Sequence, residues 1–445
     1  MSIDISTLSI WDDELAADPT TQLAATVAAN HGTETSLINR KVYTKNSINL
    51  FSNLVTPEGA PVRNQKASGR CWLFAATNAL RVDIIRRFNL SELELSPSYL
   101  FFYDKLEKAN FFLDQIAQTA HTEEYDGRLV QHLLTDPVCD GGQYDMFRNI
   151  VTKYGIVPNH IYPESFSTLS SRGLNGKVVT LLRQFAQEIR EAPADTDIEA
   201  LKKTQMQKIH KLLTVYLGTP PGPNDPIVWE YVDKDKKYNS LETTPLKFYQ
   251  EVVKYDANEA VSLLNDPRNP YDSIIEVDRL GNVVGEPYVR YLNVSIEDLT
   301  NYAVEQIKAN KPVFFGTHTP IYHDKKSGII DQSLWDYHLI GFEPTQNKAD
   351  RLRYHQSLMT HAMTFVGVHL DPVTGAPVRW KVENSWGTDS GTKGYYTLTQ
   401  EFFKEYVYQI VVQKADLSEQ LQAKWDKAEV DVVLPPWDPC GALAN

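Results

Sequence analysis

The sequence contains little cysteine: Cys71, Cys139 and Cys440 are the three among 445 residues. They lie far apart, and their spacing fits neither a structural zinc site nor a thioredoxin-like redox pair. An odd number of widely separated cysteines also excludes the disulfide framework on which small secreted domains depend. Any role for a cysteine here must therefore come from its own neighbourhood.

Long apolar runs and an excess of basic residues are missing as well. No stretch is long and apolar enough to span a membrane, and residues 1–6 lack the basic region and apolar run of a secretion signal. The net charge of −13 argues against binding nucleic acids, because phosphate contacts depend on clustered Lys and Arg. No phosphate-binding loop, HExxH motif or internal repeat is present, so we expect a cytoplasmic protein without cofactor or metal.

The composition is that of an ordinary globular protein. Hydrophobic residues make up 42% of the chain and charged residues 23%, both typical of soluble domains. A chain of 445 residues can bury a large core, and its length predicts about two or three domains.

The most informative segment surrounds Cys71, which stands where a Gly/Ser-containing loop meets a periodic apolar stretch. Apolar residues recur there at helical spacing: Leu73, Ala76, Leu80, Ile84 and Phe88. This stripe predicts a helix that starts beside Cys71. The positive end of a helix lowers the pKa of a nearby thiol, so we expect a nucleophilic thiolate. The alternative is an ordinary buried cysteine.

Gln65 lies in the loop that precedes Cys71. Its side-chain amide and the Cys71 backbone N–H could together stabilise the oxyanion of an acyl-transfer intermediate. The alternative is a loop glutamine in water.

Two downstream segments could supply a base and a residue to orient it. His361 begins a predicted strand, and Asn384 follows another strand and precedes an aromatic-rich turn. The turn signal at residues 371–375 makes the two strands antiparallel neighbours. The Asn384 carboxamide could then accept the imidazole N–H and fix the tautomer. A turn asparagine is the alternative for Asn384, and His318 and His323 lack the spacing of a metal site.

Together these segments resemble the papain-like cysteine peptidases, in the branch of bleomycin hydrolase and bacterial aminopeptidase C. The motifs that carry the resemblance are Gln65, Ser68–Phe74, Thr360–Ala362 and Asn384–Gly387, with further matches at Leu95–Leu100, Cys139–Gln143, Leu217–Pro221 and Asp438–Ala444. Secreted members carry an additional cysteine before the nucleophile. Ser68 stands at that place in this chain, which is in keeping with a reducing compartment.

The resemblance implies an α+β papain-like fold, with a helical half that carries Cys71, a β-rich half that carries His361 and Asn384, and a cleft between them. By this resemblance Cys71 attacks the peptide carbonyl, His361 acts as base and then acid, and Gln65 stabilises the oxyanion. A Cys–His ion pair would hold the thiol in its reactive form.

Gly141 and Gly142 match the glycines that line the substrate backbone in this family. A turn at the end of a helix is the other interpretation of this pair, and both interpretations can hold together.

The spacing from Cys71 to His361 is about twice the roughly 130–150 residues of papain-like enzymes, so a large insertion must separate them. The expected organisation is an N-terminal segment (1–60), the helical catalytic half (61–165), the insertion (166–345), the β-rich catalytic half (346–429) and a C-terminal tail (430–445). We expect the insertion to build subunit contacts, because relatives in this branch resemble hexamers. A decorative surface subdomain is the alternative.

The tail follows a predicted helix near Leu417–Ala428 and is too rich in proline to continue as a helix. In the family the tail enters the cleft and blocks its acyl side, and the terminal carboxylate can pair with the α-ammonium of the substrate. Ala444 and Asn445 are therefore predicted to contact substrate. Asn445 extends one residue beyond the usual alanine, and Cys440 stands where methionine is common.

The sequence thus predicts a cytoplasmic thiol aminopeptidase that acts on peptides through a Cys71 acyl-enzyme. An endopeptidase of the same branch is the alternative if the tail lies outside the cleft. A nucleic-acid-binding or scaffold protein with a vestigial site is the third hypothesis, which the complete set of four catalytic residue types disfavours.

Overall fold

The structure is a computed structural model that describes residues 3–59, 61–319 and 321–444. The α-helices are α1 (Ile5–Ala16), α2 (Pro19–His31), α3 (Thr33–Ser36), α4 (Arg40–Asn46), α5 (Cys71–Arg87), α6 (Pro97–Thr119), α7 (Arg128–Thr135), α8 (Tyr144–Tyr154), α9 (Phe166–Leu169), α10 (Arg172–Arg190), α11 (Ile198–Leu217), α12 (Pro245–Lys247), α13 (Ile296–Lys308), α14 (Lys348–Arg353), α15 (Gln400–Tyr406) and α16 (Glu419–Lys427). Shorter helical turns are Phe248–Val253, Ala257–Glu259, Tyr337–Ile340, Lys414–Asp416 and Pro439–Ala444. None of the helices in the described residues is long and apolar enough to cross a membrane.

The strands are β1 (Asn53–Leu54), β2 (Ile227–Val232), β3 (Tyr238–Thr243), β4 (Ala260–Leu264), β5 (Ser273–Val277), β6 (Arg290–Asn293), β7 (Val313–Thr317), β8 (His323–Asp324), β9 (Ile329–Ile330), β10 (His361–Leu370), β11 (Pro377–Glu383), β12 (Tyr395–Thr399), β13 (Val407–Gln413) and β14 (Val432–Leu434). The main sheet has the order β14–β5–β6–β4–β13–β7–β10–β11–β12–β9–β8, and β1 pairs with β10. A separate hairpin joins β2 to β3. Helices and a mixed sheet together confirm the predicted α+β fold.

The predicted helix at Cys71 is present. It is buried on most sides, whereas an amphipathic helix would keep one polar face in water. Most of the 17 residues of α5 are buried, from Cys71 at its first position to Ile85 near its end. One side contacts the helical core of α6 and α8, and the other reaches the sheet, where the Thr364 hydroxyl of β10 donates to the Ala75 carbonyl over 3.0 Å. The helix is therefore held between the two halves of the molecule.

Strands β10 and β11 are antiparallel neighbours, with Thr364 opposite Glu383. The turn signal at residues 371–375 predicts this pairing. On its other side β10 pairs with β7, where His361 lies opposite Thr317. Because β4, β5, β6 and β7 lie between residues 260 and 317, the segment between the two catalytic halves contributes strands to the same sheet. The sheet therefore places the end of β10 beside strands that are remote in sequence.

The segment between the catalytic halves contains α11, which begins at Ile198, ends at Leu217 and is capped by the Asp197 side chain. The helix predicted near Leu417–Ala428 is present as α16, which spans Glu419–Lys427. Beyond it, Val432–Leu434 pair in parallel with β5, and a 3₁₀ turn closes the tail over Pro439–Ala444. The tail is thus extended only in part.

Candidate active site

Cys71 is the first residue of α5 and is almost fully buried. No side chain within the described part of the chain caps this helix at Arg70, and the Leu73 N–H donates to the Arg70 carbonyl over 3.0 Å. The backbone N–H groups of Ala362, Trp72 and Cys71 itself lie near the sulfur and act to lower the pKa of its thiol. The contact with Ala362 places the predicted nucleophile beside the first residues of β10.

His361 and Asn384 are brought together at the ends of β10 and β11. The Nε2 atom of His361 lies 2.9 Å from the Oδ1 atom of Asn384. The same oxygen accepts the backbone N–H of Ser385 over 2.7 Å, which fixes the orientation of the carboxamide. Since Oδ1 can only accept, Nε2 must carry the proton, and Nδ1 of the neutral imidazole is left as the acceptor.

The environment of Cys71 and His361 does not favour the thiolate that we expect at the start of the helix. Burial raises the pKa of the Cys71 thiol to about 11, although the three backbone N–H groups act in the opposite direction. Burial lowers the pKa of His361 to about 4, the bond to Asn384 opposes this, and the charge of Lys325 adds to it. The buried site thus opposes a lone charge on either group. Proton transfer from thiol to imidazole creates two opposite charges together, and their attraction offsets part of this cost.

Gln65 is held close to this group by bonds at both ends of its amide. Its Nε2 atom donates to the Ser68 carbonyl over 2.6 Å, and its Oε1 atom accepts the hydroxyl of Ser385. These bonds fix which atom is the amide nitrogen, whose second hydrogen is not used by the Ser68 contact. Gln65 is buried, with 7% of its surface exposed, so the alternative of a glutamine in open water is wrong.

Gly141 and Gly142 precede α8 rather than end a helix, so the alternative of a helix-ending turn is wrong. A Cβ atom at Gly142 would lie 2.4 Å from the Trp72 ring, which leaves no room for a side chain. The Gly141 carbonyl accepts a bond from the buried Lys108 ammonium. The residue before the pair, Asp140, accepts the N–H of Gly69 over 3.1 Å. The two glycines thus pack directly against the nucleophile's helix and loop.

A buried ion pair that the sequence patterns do not indicate ties the two halves together. Arg81 of α5 and Glu383 of β11 form a salt bridge with side-chain exposures of 1% and 0%. Arg81 also donates to the carbonyls of Gly59 and Pro61, at 3.2 and 2.9 Å. Glu383 immediately precedes Asn384, so one guanidinium connects the nucleophile's helix, the orienting residue and the segment that leads to Gln65.

The tail contacts residues that adjoin parts of the candidate site along the chain. The Pro439 carbonyl accepts the N–H of Met359, just before His361, over 3.1 Å. The Cys440 carbonyl accepts from Gln143 at 3.3 Å and from Tyr291 at 3.0 Å. Cys440 is fully buried and Leu443 nearly so. Upstream, the tail is fastened by a salt bridge of 2.9 Å between Arg268 and Asp438.

Two predicted site residues remain, both at the end of the tail. Ala444 is the final residue of the 3₁₀ turn. Asn445 lies outside the residues that the structure describes.

The α+β fold agrees with comparisons to known proteins. The model of the Peptidase C1-like family matches residues 2–441. Since the match covers nearly the whole chain, the chain belongs to this family, a class of papain-like cysteine peptidases.

Individual relatives narrow the class. The chain is 49% identical to cysteine proteinase 1, mitochondrial, of Saccharomyces cerevisiae, over 100% of this chain and 93% of the relative. It is 39% identical to human bleomycin hydrolase, over 97% of this chain and 96% of the relative. The crystal structure of PepW from Lactobacillus rhamnosis superposes with a TM-score of 0.94 at 37% identity, covering 99% of both chains. The protein is thus a cysteine peptidase of the bleomycin hydrolase branch, as the sequence motifs predict.

Proposed function

We propose that this protein is a thiol aminopeptidase whose catalytic residues are Cys71, His361, Asn384 and Gln65. The observation that carries the proposal is the hydrogen bond of 2.9 Å between His361 and Asn384, beside a cysteine whose thiol pKa is influenced by the neighbouring Ala362 N–H. This arrangement leaves the imidazole Nδ1 as the acceptor for the thiol proton.

In the proposed reaction the Cys71 thiol gives its proton to Nδ1 of His361, and the sulfur attacks the carbonyl carbon of the scissile bond. The new charge falls on the carbonyl oxygen. The second N–H of the Gln65 amide and the backbone N–H of Cys71 are the proposed donors to it. The imidazolium then protonates the departing amine, which leaves a thioester on Cys71. A water molecule that gives its proton to His361 hydrolyses the thioester and restores the thiol.

The proposed selectivity for free N-termini rests on the tail. Pro439 and Cys440 make backbone contacts with Met359 on one wall and Gln143 on the other. A tail held there would leave space for one substrate residue on the acyl side, next to Gly141 and Gly142. The last residues, Ala444 and Asn445, are proposed to meet the α-ammonium, with the terminal carboxylate as its counter-ion.

The test compares three matched peptides: one with a free amine, one N-acetylated and one labelled internally. The intact protein should cleave the first and spare the other two. Removal of residues 440–445 should open the acyl side and allow cleavage of all three, while removal of Asn445 alone is the control that keeps the rest of the tail. If the protein without 440–445 still requires a free amine, selectivity does not come from the tail. Internal cleavage by the intact protein would favour the endopeptidase.

We also propose that the enzyme removes its own Asn445, because that peptide bond would lie near Cys71 if the tail occupies the acyl side. Intact-mass measurement should then show the loss of one asparagine in the active protein and none in Cys71→Ala. Retention of Asn445 in the active protein would contradict this.

The proposed working state is a hexamer in a reducing compartment such as the cytoplasm. The support is the likeness to its branch and the need to keep the nucleophile as a thiol. The yeast relative is named mitochondrial, so fractionation with markers for both compartments is the direct test of location. Light scattering after size exclusion should give the mass of six chains, and the mass of one chain would contradict the assembly.

A further inference from the structure

A cavity of about 880 Å³ opens beside the candidate active site, between residues 321–346, α14 and the end of α15. We call it the aromatic cavity, because five aromatic rings and the side chain of Ile340 contribute to its lining: Tyr322, Trp335, Tyr337, Phe342 and Tyr406. Its size lies within the range of roughly 300–1,000 Å³ that is typical of ligand pockets. Ile340 and Phe342 are 40% and 48% exposed, so apolar surface is available to a ligand.

A row of neighbouring rings connects the cavity to the candidate base. The His361 ring lies 5.1 Å from the Trp386 ring. Trp386 stacks on His323, with centroids 4.8 Å apart and an angle of 23°. His323 in turn lines the cavity. The two centroid separations together place the His323 ring, at the edge of the cavity, within about 10 Å of the His361 ring. Roughly three residues of extended peptide span that distance.

His323 also offers polar groups to a ligand. Both of its ring nitrogens are buried and have no hydrogen-bond partner among the residues that the structure describes. Burial lowers the pKa of His323 to about 3, and the neighbouring charges of His361 and Lys325 add to this. The ring is thus neutral at pH 7, with one donor and one acceptor. A peptide group of a substrate has the complementary acceptor and donor.

The direction of the substrate follows from the position of the tail, so the inference rests on the proposed function. If the tail closes the acyl side, a peptide must extend from the scissile bond in the other direction. None of the described residues that line the aromatic cavity belongs to the tail. The tail instead contacts Met359 and Gln143, while the cavity is reached across Trp386.

We propose that the aromatic cavity binds an aromatic or large apolar side chain from the second or third residue of the substrate, on the leaving-group side of the scissile bond. The charges of its lining favour such a residue. Arg351 and Glu405 form a salt bridge with each other, and Glu34 adds a negative charge at the rim. An acidic side chain is thereby disfavoured, and an apolar one gains from leaving water.

The experiment uses peptides with a constant N-terminal residue and with Ala, Phe or Asp at the second or third position. For the intact protein we expect kcat/KM to be roughly tenfold higher for Phe than for Ala at one of these positions, and lowest for Asp. Phe342→Ala and Tyr337→Ala should bring the Phe/Ala ratio towards one, with the Ala peptide nearly unaffected. Leu339→Ala is the matched control, because this residue of the same segment is 43% exposed and does not line the cavity. Its ratio should be unchanged.

Three results would overturn the proposal. The first is an intact protein without preference for Phe at either position. The second is a Phe342→Ala protein whose preference is retained, or which loses activity equally on all peptides. The third is a change of oligomeric mass in Phe342→Ala without a change of preference, which would assign the rim to a contact between copies. In each case Cys71-dependent cleavage of the Ala peptide would leave the proposed function standing.

Discussion

The buried pair of Arg81 and Glu383 gives the sharpest test of how the two halves of the site are held together. Both side chains are inaccessible to solvent, and the guanidinium also satisfies the carbonyls of Gly59 and Pro61. The change Arg81→Met keeps an apolar chain of similar length and removes the charge and all of these donors. It leaves a buried carboxylate and two carbonyls without their partner.

Removing one partner of a buried ion pair costs about 3–5 kcal/mol, and the total stability of a folded protein is about 5–15 kcal/mol. We therefore expect Arg81→Met to lower the free energy of unfolding by about 3–5 kcal/mol. Because Glu383 adjoins Asn384, kcat should also fall at temperatures where the variant is still folded. Urea unfolding followed by circular dichroism, together with kcat on a free-amine peptide, measures both effects.

Two further variants separate the ion pair from a general loss of packing. The double change Arg81→Met with Glu383→Leu removes both charges, so it should cost at least about 2 kcal/mol less than the two single changes added together. Arg353→Met is the surface control: its salt bridge to Asp350 spans 2.8 Å with exposures of 53% and 37%, and it should cost about 1 kcal/mol or less. If Arg81→Met behaves like Arg353→Met, the pair does not hold the halves together.

The remaining predictions concern the nucleophile, its two supporting amides and one carboxylate. Cys71→Ala should abolish hydrolysis with an unchanged unfolding midpoint, and residual near-normal turnover would rule out the assignment. Gln65→Ala should lower kcat by roughly 10²–10³-fold. Asn384→Ala should lower kcat by less than about 10⁴-fold, because the general base is misoriented rather than lost. A normal kcat in either variant would refute the role of the residue that was changed. Burial raises the pKa of Asp140, but Lys105, at 2.7 Å, and further hydrogen bonds bring it well below the ordinary value of 3.8. Its ionised form therefore stabilises the fold in full above pH 3.8, and this contribution is lost progressively as the pH falls from that value through the lowered pKa of the folded state. Asp140→Asn should lower the free energy of unfolding at pH 7 by more than at pH 2, and an equal loss at both would contradict the ion pair.

Local patterns in the sequence determined where the main site elements begin. The apolar repeat after Cys71 predicts a helix, and the helix begins at that residue. The turn signal at residues 371–375 predicts antiparallel strands, and they bring Asn384 within 2.9 Å of His361. These features depend on neighbours along the chain, because helix periodicity and short turns are local properties.

Only the tertiary structure decided how these elements are joined and what surrounds them. Arg81 and Glu383 are 302 positions apart, and nothing local distinguishes them from surface charges. His323 looks like an ordinary histidine in the sequence, and it becomes part of the site through its stacking on Trp386. The neutral forms favoured at Cys71 and His361 depend in the same way on how deeply the folded chain buries both side chains. Desolvation and long-range pairing are set by chain segments that meet only in the folded protein, so no single segment carries their signal.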